Sequence, residues 1–190
     1  MAKSRKRKQK KRKRTRKPKS SSRAALSRTR SEPVQRRISK EKERMLSILN
    51  FDEHLRGQVE DMFSIDLEGL PPGQEPMFFS TAVFKIDDAK QAIAKVGKLS
   101  DVHIADENKD GVNYTWTRAY PKGHWNPMSR LPGARQVVGD IHINYDNTLR
   151  LETRSKSLMT GLIYNVVSAL GREIKLVSLE FQNPMDMLRK

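Results

Sequence analysis

Positive charge is confined to one end of this chain, and that confinement decides which part of it can fold. The first 40 residues hold 19 lysines and arginines against a single acid, Glu32, a charge of +18, whereas residues 41–190 hold 19 against 21 and come to −2. From Lys3 to Lys19 the sequence KSRKRKQKKRKRTRKPK contains 13 cations and no acid. Like charges repel and nothing there can be buried to offset chain entropy, so the segment is predicted to be disordered on its own. It is expected to extend to about residue 38, past Ser20, Ser21 and Ser22 and the break at Glu32-Pro33. Hydrophobic residues make up 36% of the chain and are almost absent before Ala24, which leaves the remainder enough apolar material for one core.

The chain contains no cysteine, which excludes disulfides, thiolate catalysis and cysteine-containing zinc sites within it. No run approaches the roughly 18 uninterrupted apolar residues of a membrane span. No apolar stretch follows the basic start as a secretory signal requires, and unbroken Lys/Arg lacks the amphipathic pattern of a mitochondrial presequence, so a cytoplasmic location is expected.

A dense cationic segment can lie along a phosphate backbone, where each neutralised phosphate releases counterions. The predicted nucleic-acid-binding residues are Lys3, Arg5, Lys6, Arg7, Lys8, Lys10, Lys11, Arg12, Lys13, Arg14, Arg16, Lys17 and Lys19. Arginine supplies bidentate forks and lysine flexible point charges, but no aromatic is interleaved to stack on bases, so binding should be blind to sequence. The expected partner is nucleic acid, either RNA, including the ribosome, or DNA. The same residues would also serve as a nuclear-import-like address, an anchor to anionic lipid or a solubilising extension.

Downstream, three regions are expected: the tail (residues 1–38), a helical segment (39–69) and an α+β domain (70–190). Ser39 is a cap for a helix carrying Met45, Leu46 and Leu49. Asn50 with Glu53 predicts a second helix, on which Leu55, Val59, Met62 and Phe63 share a face. Leu70-Pro71-Pro72-Gly73 ends it as a linker. Met77–Ile86 reads as a buried strand, followed by a helix capped by Asp87, carrying Ala89, Ala92, Ile93 and Val96, and closed by Gly97.

A short strand with Val102 and Ile104 flanking His103 turns through Glu107-Asn108-Lys109-Asp110-Gly111 into a strand over residues 112–118. Residues 137–145 and 148–153 form a hairpin turning at Asp146-Asn147, with Ile141, Ile143 and Tyr145 opposite Leu149 and Leu151. Ser155 or Ser157 starts the longest helix, whose apolar face runs from Leu158 to Leu170 before Gly171 stops it, and a last strand covers 174–181. The predicted fold is α+β, a mainly antiparallel sheet with two helices on one face.

Several residues carry a resemblance. Glu75-Pro76 before a strand, Asp87-Asp88, Trp116, Val138-Gly139-Asp140-Ile141, Leu149-Arg150-Leu151-Glu152-Thr153 with Ser155, Leu170-Gly171 and Phe181-Gln182-Asn183-Pro184 together resemble an uncharacterised α+β domain of bacterial SEC-C-motif-associated proteins. The resemblance covers residues 70–188 and is most distinctive from Gly139 to Gly171. It implies a cytoplasmic accessory or binding domain and brings no catalytic residue. The SEC-C motif binds zinc through cysteines, so zinc binding is not implied for this chain.

No cofactor and no metal site is predicted. His54, His103, His124 and His142 include no helical ligand pair, the acidic pairs sit at helix starts, helix surfaces and turns, and there is no Gly-rich phosphate loop, nucleophile elbow or His-Glu-x-x-His. Asp106 to Gly111 lacks the distal Glu of a calcium loop and reads as a turn. One alternative for chemistry remains: were their strands neighbours, His103 and His142 with Asp140 would converge on the exposed sheet face as a metal or proton-transfer site.

Cations and aromatics mix only around the proline-broken loop, where Arg118, Tyr120, Lys122, Trp125 and Arg130, with His124 and Arg135 nearby, could clamp single-stranded RNA as a secondary contact. The reading is therefore a non-enzymatic nucleic-acid-binding protein. Its rival is a protein-protein interaction adaptor whose tail only localises or solubilises it, with the sheet face or the Pro121–Gly133 loop contacting a protein partner. Oligomeric state is not legible.

Overall fold

A computed structural model describes residue 40 and residues 42–64, 75–120 and 126–187. The predicted tail, the Ser39 cap and the Leu70–Gly73 linker lie outside the described residues.

Two-residue alternation sets the inner face of the sheet. Strand β1 (Phe79–Ile86) buries Ser80, Ala82, Phe84 and Ile86 on one side. The same side is continued by Val112, Tyr114 and Trp116 of β3 (Gly111–Ala119), Ile141 and Ile143 of β4 (Arg135–Asn144), and Leu149, Leu151 and Thr153 of β5 (Thr148–Thr153). With β2 (Val102–Glu107) and β6 (Ile174–Gln182) these form one six-stranded sheet in the order β2-β3-β4-β5-β1-β6. Every pairing is antiparallel. The fold class is thus the α+β architecture expected, and the order of strands and helices from β1 onward is the one read from periodicity.

Two helices bury their apolar stripes on the inner face. Helix α3 (Ala89–Val96) contributes Ala89, Ala92 and Val96, and α4 (Lys156–Leu170) contributes Met159, Leu162, Ile163, Val166, Val167 and Leu170. Ser155 caps α4 by accepting from the Leu158 N–H at 3.2 Å, and Gly171, at φ 72°, ends it in a backbone region that side chains disfavour. The cap of α3 is Asp88 rather than Asp87: Asp88 accepts from the Gln91 N–H, while the Asp87 N–H is engaged by the Glu173 carbonyl at 3.2 Å. Asn147, at φ 66° in the β4–β5 turn, also serves α3, its Oδ1 accepting from the Ala89 N–H at 3.0 Å.

The segment before the sheet shares the core. Helix α1 (residues 42–48), a 3-10 turn at Glu53–Leu55 and helix α2 (Arg56–Asp61) bring Met45, Leu49, Leu55, Val59 and Met62 into the same buried cluster as Phe84 and Leu162. Asn50 does not cap this second helical stretch. Its carbonyl accepts from the Leu176 N–H at 2.8 Å, and Phe51 makes a parallel bridge to Leu176, so the chain grips the β6 edge before turning into helix at Glu53.

Two further details depart from the sequence reading. Tyr145 falls one residue beyond β4 and is 44% exposed, outside the apolar row, because the turn begins there. Between the pairs Trp116↔Gly139 and Thr117↔Val137, β4 holds one extra residue, Val138, so that both Val138 and Gly139 point inward. A Cβ on Gly139 would lie 2.7 Å from the Glu152 carbonyl oxygen, which is why only glycine fits there.

Candidate functional site

The cations nominated from Lys3 to Lys19, and Lys122, His124 and Trp125 of the loop, lie outside the described residues. Of the remaining loop residues, Arg130 sits exposed on a 3-10 turn (Pro127–Arg130), Tyr120 is half-buried, and Arg118 stands apart from both in its surroundings. Tyr114, Trp116 and Arg118 alternate along the helix side of β3, so Arg118 continues beyond the core the row that the two buried aromatics form within it.

There it lines a cleft of about 630 Å³ bounded by α1, the N-terminal half of α4 and the end of β3. Arg44 from α1, Arg118 from β3, and Tyr164 and Asn165 from α4 are the groups it presents to a ligand, with Trp116 of β3 buried beneath them. A second cleft of about 290 Å³ continues on the far side of the Arg44–Tyr164 pair and adds Ser168 and Arg172. The ridge between the two is a stack: the Arg44 guanidinium carbon lies 5.1 Å from the centre of the Tyr164 ring.

The electrostatics of these clefts follow from which charges are already matched. Both carboxylates in the larger cleft are spoken for. Glu75 accepts hydrogen bonds from the Ser155 hydroxyl at 2.6 Å and from the Ser157 hydroxyl, and Asp101 is held by Arg135, which also donates to the Thr117 hydroxyl and carbonyl at 3.0 and 3.1 Å. The smaller cleft has no acid in its wall. Among the described residues, Arg44, Arg118 and Arg172 have no carboxylate partner, as is also true of Lys40, Lys85, Lys90, Lys98, Lys109, Arg130 and Arg154, whereas Lys42, Arg56, Lys95, Arg135, Arg150, Lys156 and Lys175 each have one. The Asn165 side-chain amide likewise makes no hydrogen bond there. The arrangement can receive an anion, with flat aromatic surface beside it.

Lys156 shows the opposite condition. Only 11% of its side chain is exposed, its ammonium donates to the Asp61 carboxylate at 2.7 Å, and it lies 5.2 and 5.0 Å from the rings of Phe78 and Phe181. The hydrogen bonds from Lys156 and Ser64 hold the Asp61 carboxyl below its ordinary range. Burial pushes the Tyr114 phenol upward; its hydroxyl donates to the Ile93 carbonyl at 3.1 Å.

His103 and His142 do not converge. Strand β3 separates β2 from β4, and His103 faces Thr115 while His142 faces Asn113, so the two imidazoles are two strands apart, about 10 Å between strand axes, and at different levels. His142 instead joins a network on the outer face of the sheet, the one turned away from the helices: its Nδ1 lies 2.8 Å from Asn113 Oδ1, its Nε2 lies 3.7 Å from Glu152, and Glu152 is also paired with Arg150. No group of three or more metal-ligating side chains occurs among the described residues. At Asp106–Gly111 the Asn108 side chain accepts from the N–H groups of Asp110 and Gly111 at 2.9 and 3.1 Å, a turn built by its own asparagine. No described helix is long and apolar enough to cross a membrane.

Arg44, Tyr164, Asn165 and Arg172 were invisible to sequence reasoning as site residues. Arg44 looks like the solvent side of an amphipathic helix, and nothing local indicates that α1 lies along α4. No protein-family model, curated protein or solved structure matches the chain.

Proposed function

We propose that this protein binds nucleic acid without sequence preference, through the cations from Lys3 to Lys19, and performs no chemistry on it. The observation that carries this reading is the separation of +18 in the first 40 residues from −2 in the rest. A polyelectrolyte partner with one charge per phosphate is the target such a segment matches, and counterion release supplies the free energy. RNA, including the ribosome, and duplex DNA are the polymers in question, met in the cytoplasm. The resemblance of residues 70–188 to an accessory domain of SEC-C-motif-associated proteins supports a binding role for the body and adds no reaction.

The body's own charge pattern supports the same division of labour. Seven of the seventeen cations among the described residues are matched by a carboxylate, and residues 41–190 as a whole come to −2. Removal of residues 1–19 is expected to abolish most binding to both RNA and duplex DNA and to flatten the dependence of log affinity on log salt. Unchanged affinity and salt slope in the shortened chain would reject the proposal.

A further inference from the structure

We infer that the two clefts flanking the Arg44–Tyr164 stack form a track for single-stranded polynucleotide, with Arg118, Arg44 and Arg172 receiving successive phosphates and Tyr164 and Asn165 meeting a base. The inference rests on the nucleic-acid reading above and makes it more specific, because the tail has no means of distinguishing one strand from two.

Three features of the groove carry it. The first is continuity: Arg44 and Tyr164 belong to the walls of both clefts, so the cationic side chains lie along one path, Arg118 at one end and Arg172 at the other. The second is availability. A guanidinium paired with a carboxylate has its fork occupied and its field cancelled, whereas these three keep their donors for a phosphate. Asp101 is neutralised by Arg135, and Glu75, which keeps its charge, has its oxygens engaged by two serine hydroxyls and pairs with none of the three arginines.

The third is the aromatic component. Stacking on a ring or on a guanidinium plane requires a base that is free of its partner; Arg44 lies over Tyr164, so the junction of the clefts offers the outer plane of the guanidinium with the uncovered part of the tyrosine ring beside it. Trp116, only 5% exposed, belongs to the core beneath the larger cleft, and the Asn165 amide can donate to and accept from a base edge. A duplex keeps its bases stacked inside and presents only phosphates, so it gains nothing from the ring. Phosphate contacts together with an aromatic platform are the combination that single-strand binders use.

The test uses the full chain and two fluorescein-labelled probes, a ten-nucleotide oligouridylate and a ten-base-pair RNA duplex, with binding read by anisotropy over a series of salt concentrations. The variant Arg44→Gln/Arg118→Gln/Arg172→Gln is expected to weaken the single strand by roughly tenfold or more and to lower its salt slope by about 2, three contacts at about 0.7 each, while duplex affinity changes much less. Tyr164→Leu should weaken the single strand by roughly fivefold or more with the salt slope unchanged, since stacking releases no counterions. Arg172→Glu, on an exposed turn, provides a version that leaves the core untouched, and thermal melts confirm folding of each variant.

Single-strand affinity and slope equal to wild type in the triple variant would overturn the track and leave the tail reading standing. Equal losses for strand and duplex would overturn the single-strand preference. Removal of residues 1–19 with no loss on either probe would instead overturn the tail reading, so the two failures are distinguishable.

Discussion

The outer face of the sheet and the groove between α1 and α4 use the same kinds of side chain to opposite ends. On the sheet, Asn113, His142, Glu152 and Arg150 each have a partner in a single closed network. In the groove, acids are satisfied by hydroxyls or by Arg135, and the arginines lining it are left without carboxylates. A closed network spends its polarity on the fold. An open set of cations is unstable only in the sense that it would be better matched by something from outside. Composition does not locate a binding surface in a near-neutral body, and unmatched charge alone does not either, since Arg130 and Arg154 also lack carboxylates; the groove differs in setting its arginines beside an aromatic ring.

The largest effect that would break this comparison comes from a residue joining the two faces. Gly139 points inward, yet the group that its missing Cβ would strike is the carbonyl of Glu152, whose side chain anchors the outer network. Gly139→Ala must therefore push β4 from β5 or distort the extra residue at Val138, and the added methyl also meets Thr153 Cγ2 at 2.9 Å. A loss of about 2–4 kcal/mol in denaturant unfolding is expected. A loss below about 0.5 kcal/mol would show that the strands yield and that the two faces are less tightly coupled than the register indicates.

Next in size is Lys156, the matched counterpart of Arg44. Both are cations set against aromatic rings, but Lys156 has two rings and a carboxylate where Arg44 has one ring and no carboxylate. Lys156→Ala is expected to cost about 1–3 kcal/mol through the lost pair, ring contacts and stem packing, and Arg44→Gln well under about 1 kcal/mol. The pair also sets a pH dependence. The Asp61 carboxyl is held below its ordinary value in the folded protein, so the unfolded chain binds its proton first as pH falls. Its stabilisation is full above the unfolded value of about 3.9 and is lost as pH drops through that value and the lower folded one. Lys156→Ala should therefore flatten the acid limb of the stability profile. Stability curves for the variant and wild type that stay parallel below about pH 4 would show that Lys156 does not hold Asp61 as the geometry indicates.

Most of the fold was legible because it is written in local period and local caps. The aromatic and β-branched run ending at Ile86, the apolar rows of residues 148–153, the stripe from Met159 to Leu170, and Ser155 before it and Gly171 after it each encode an element without reference to the rest of the chain. What was not legible depends on distant partners. Asp88 rather than Asp87 caps α3, the Asp87 amide being tied to the Glu173 carbonyl while the helix starts one residue later at Ala89, and Asn50 grips Leu176 instead of starting a helix. His103 and His142 were separable only through the strand order, since consecutive antiparallel pairing puts β3 between them. Arg118 was nominated from its aromatic neighbourhood, but the reason it matters, the approach of α1 to α4 that brings Arg44 over Tyr164, has no signature in either helix.

The smallest expected effect belongs to Glu152. Glu152→Gln removes the carboxylate from the outer network and leaves Arg150 without a charge partner, while an amide of nearly the same shape remains to hydrogen bond. Arg150 and Glu152 are both partly exposed, so stability should change by less than about 1 kcal/mol. The variant thus creates an unmatched arginine on a flat polar face that has no ring stacked beneath it. If being unmatched were sufficient, this arginine would add to single-strand binding as much as Arg44→Gln removes. If the groove and its aromatic ridge are needed, affinity for the oligouridylate should rise by no more than the general effect of one extra positive charge, and equally for the duplex. A selective gain for the single strand in Glu152→Gln would mean that any released cation suffices, and that the groove has no advantage over the sheet.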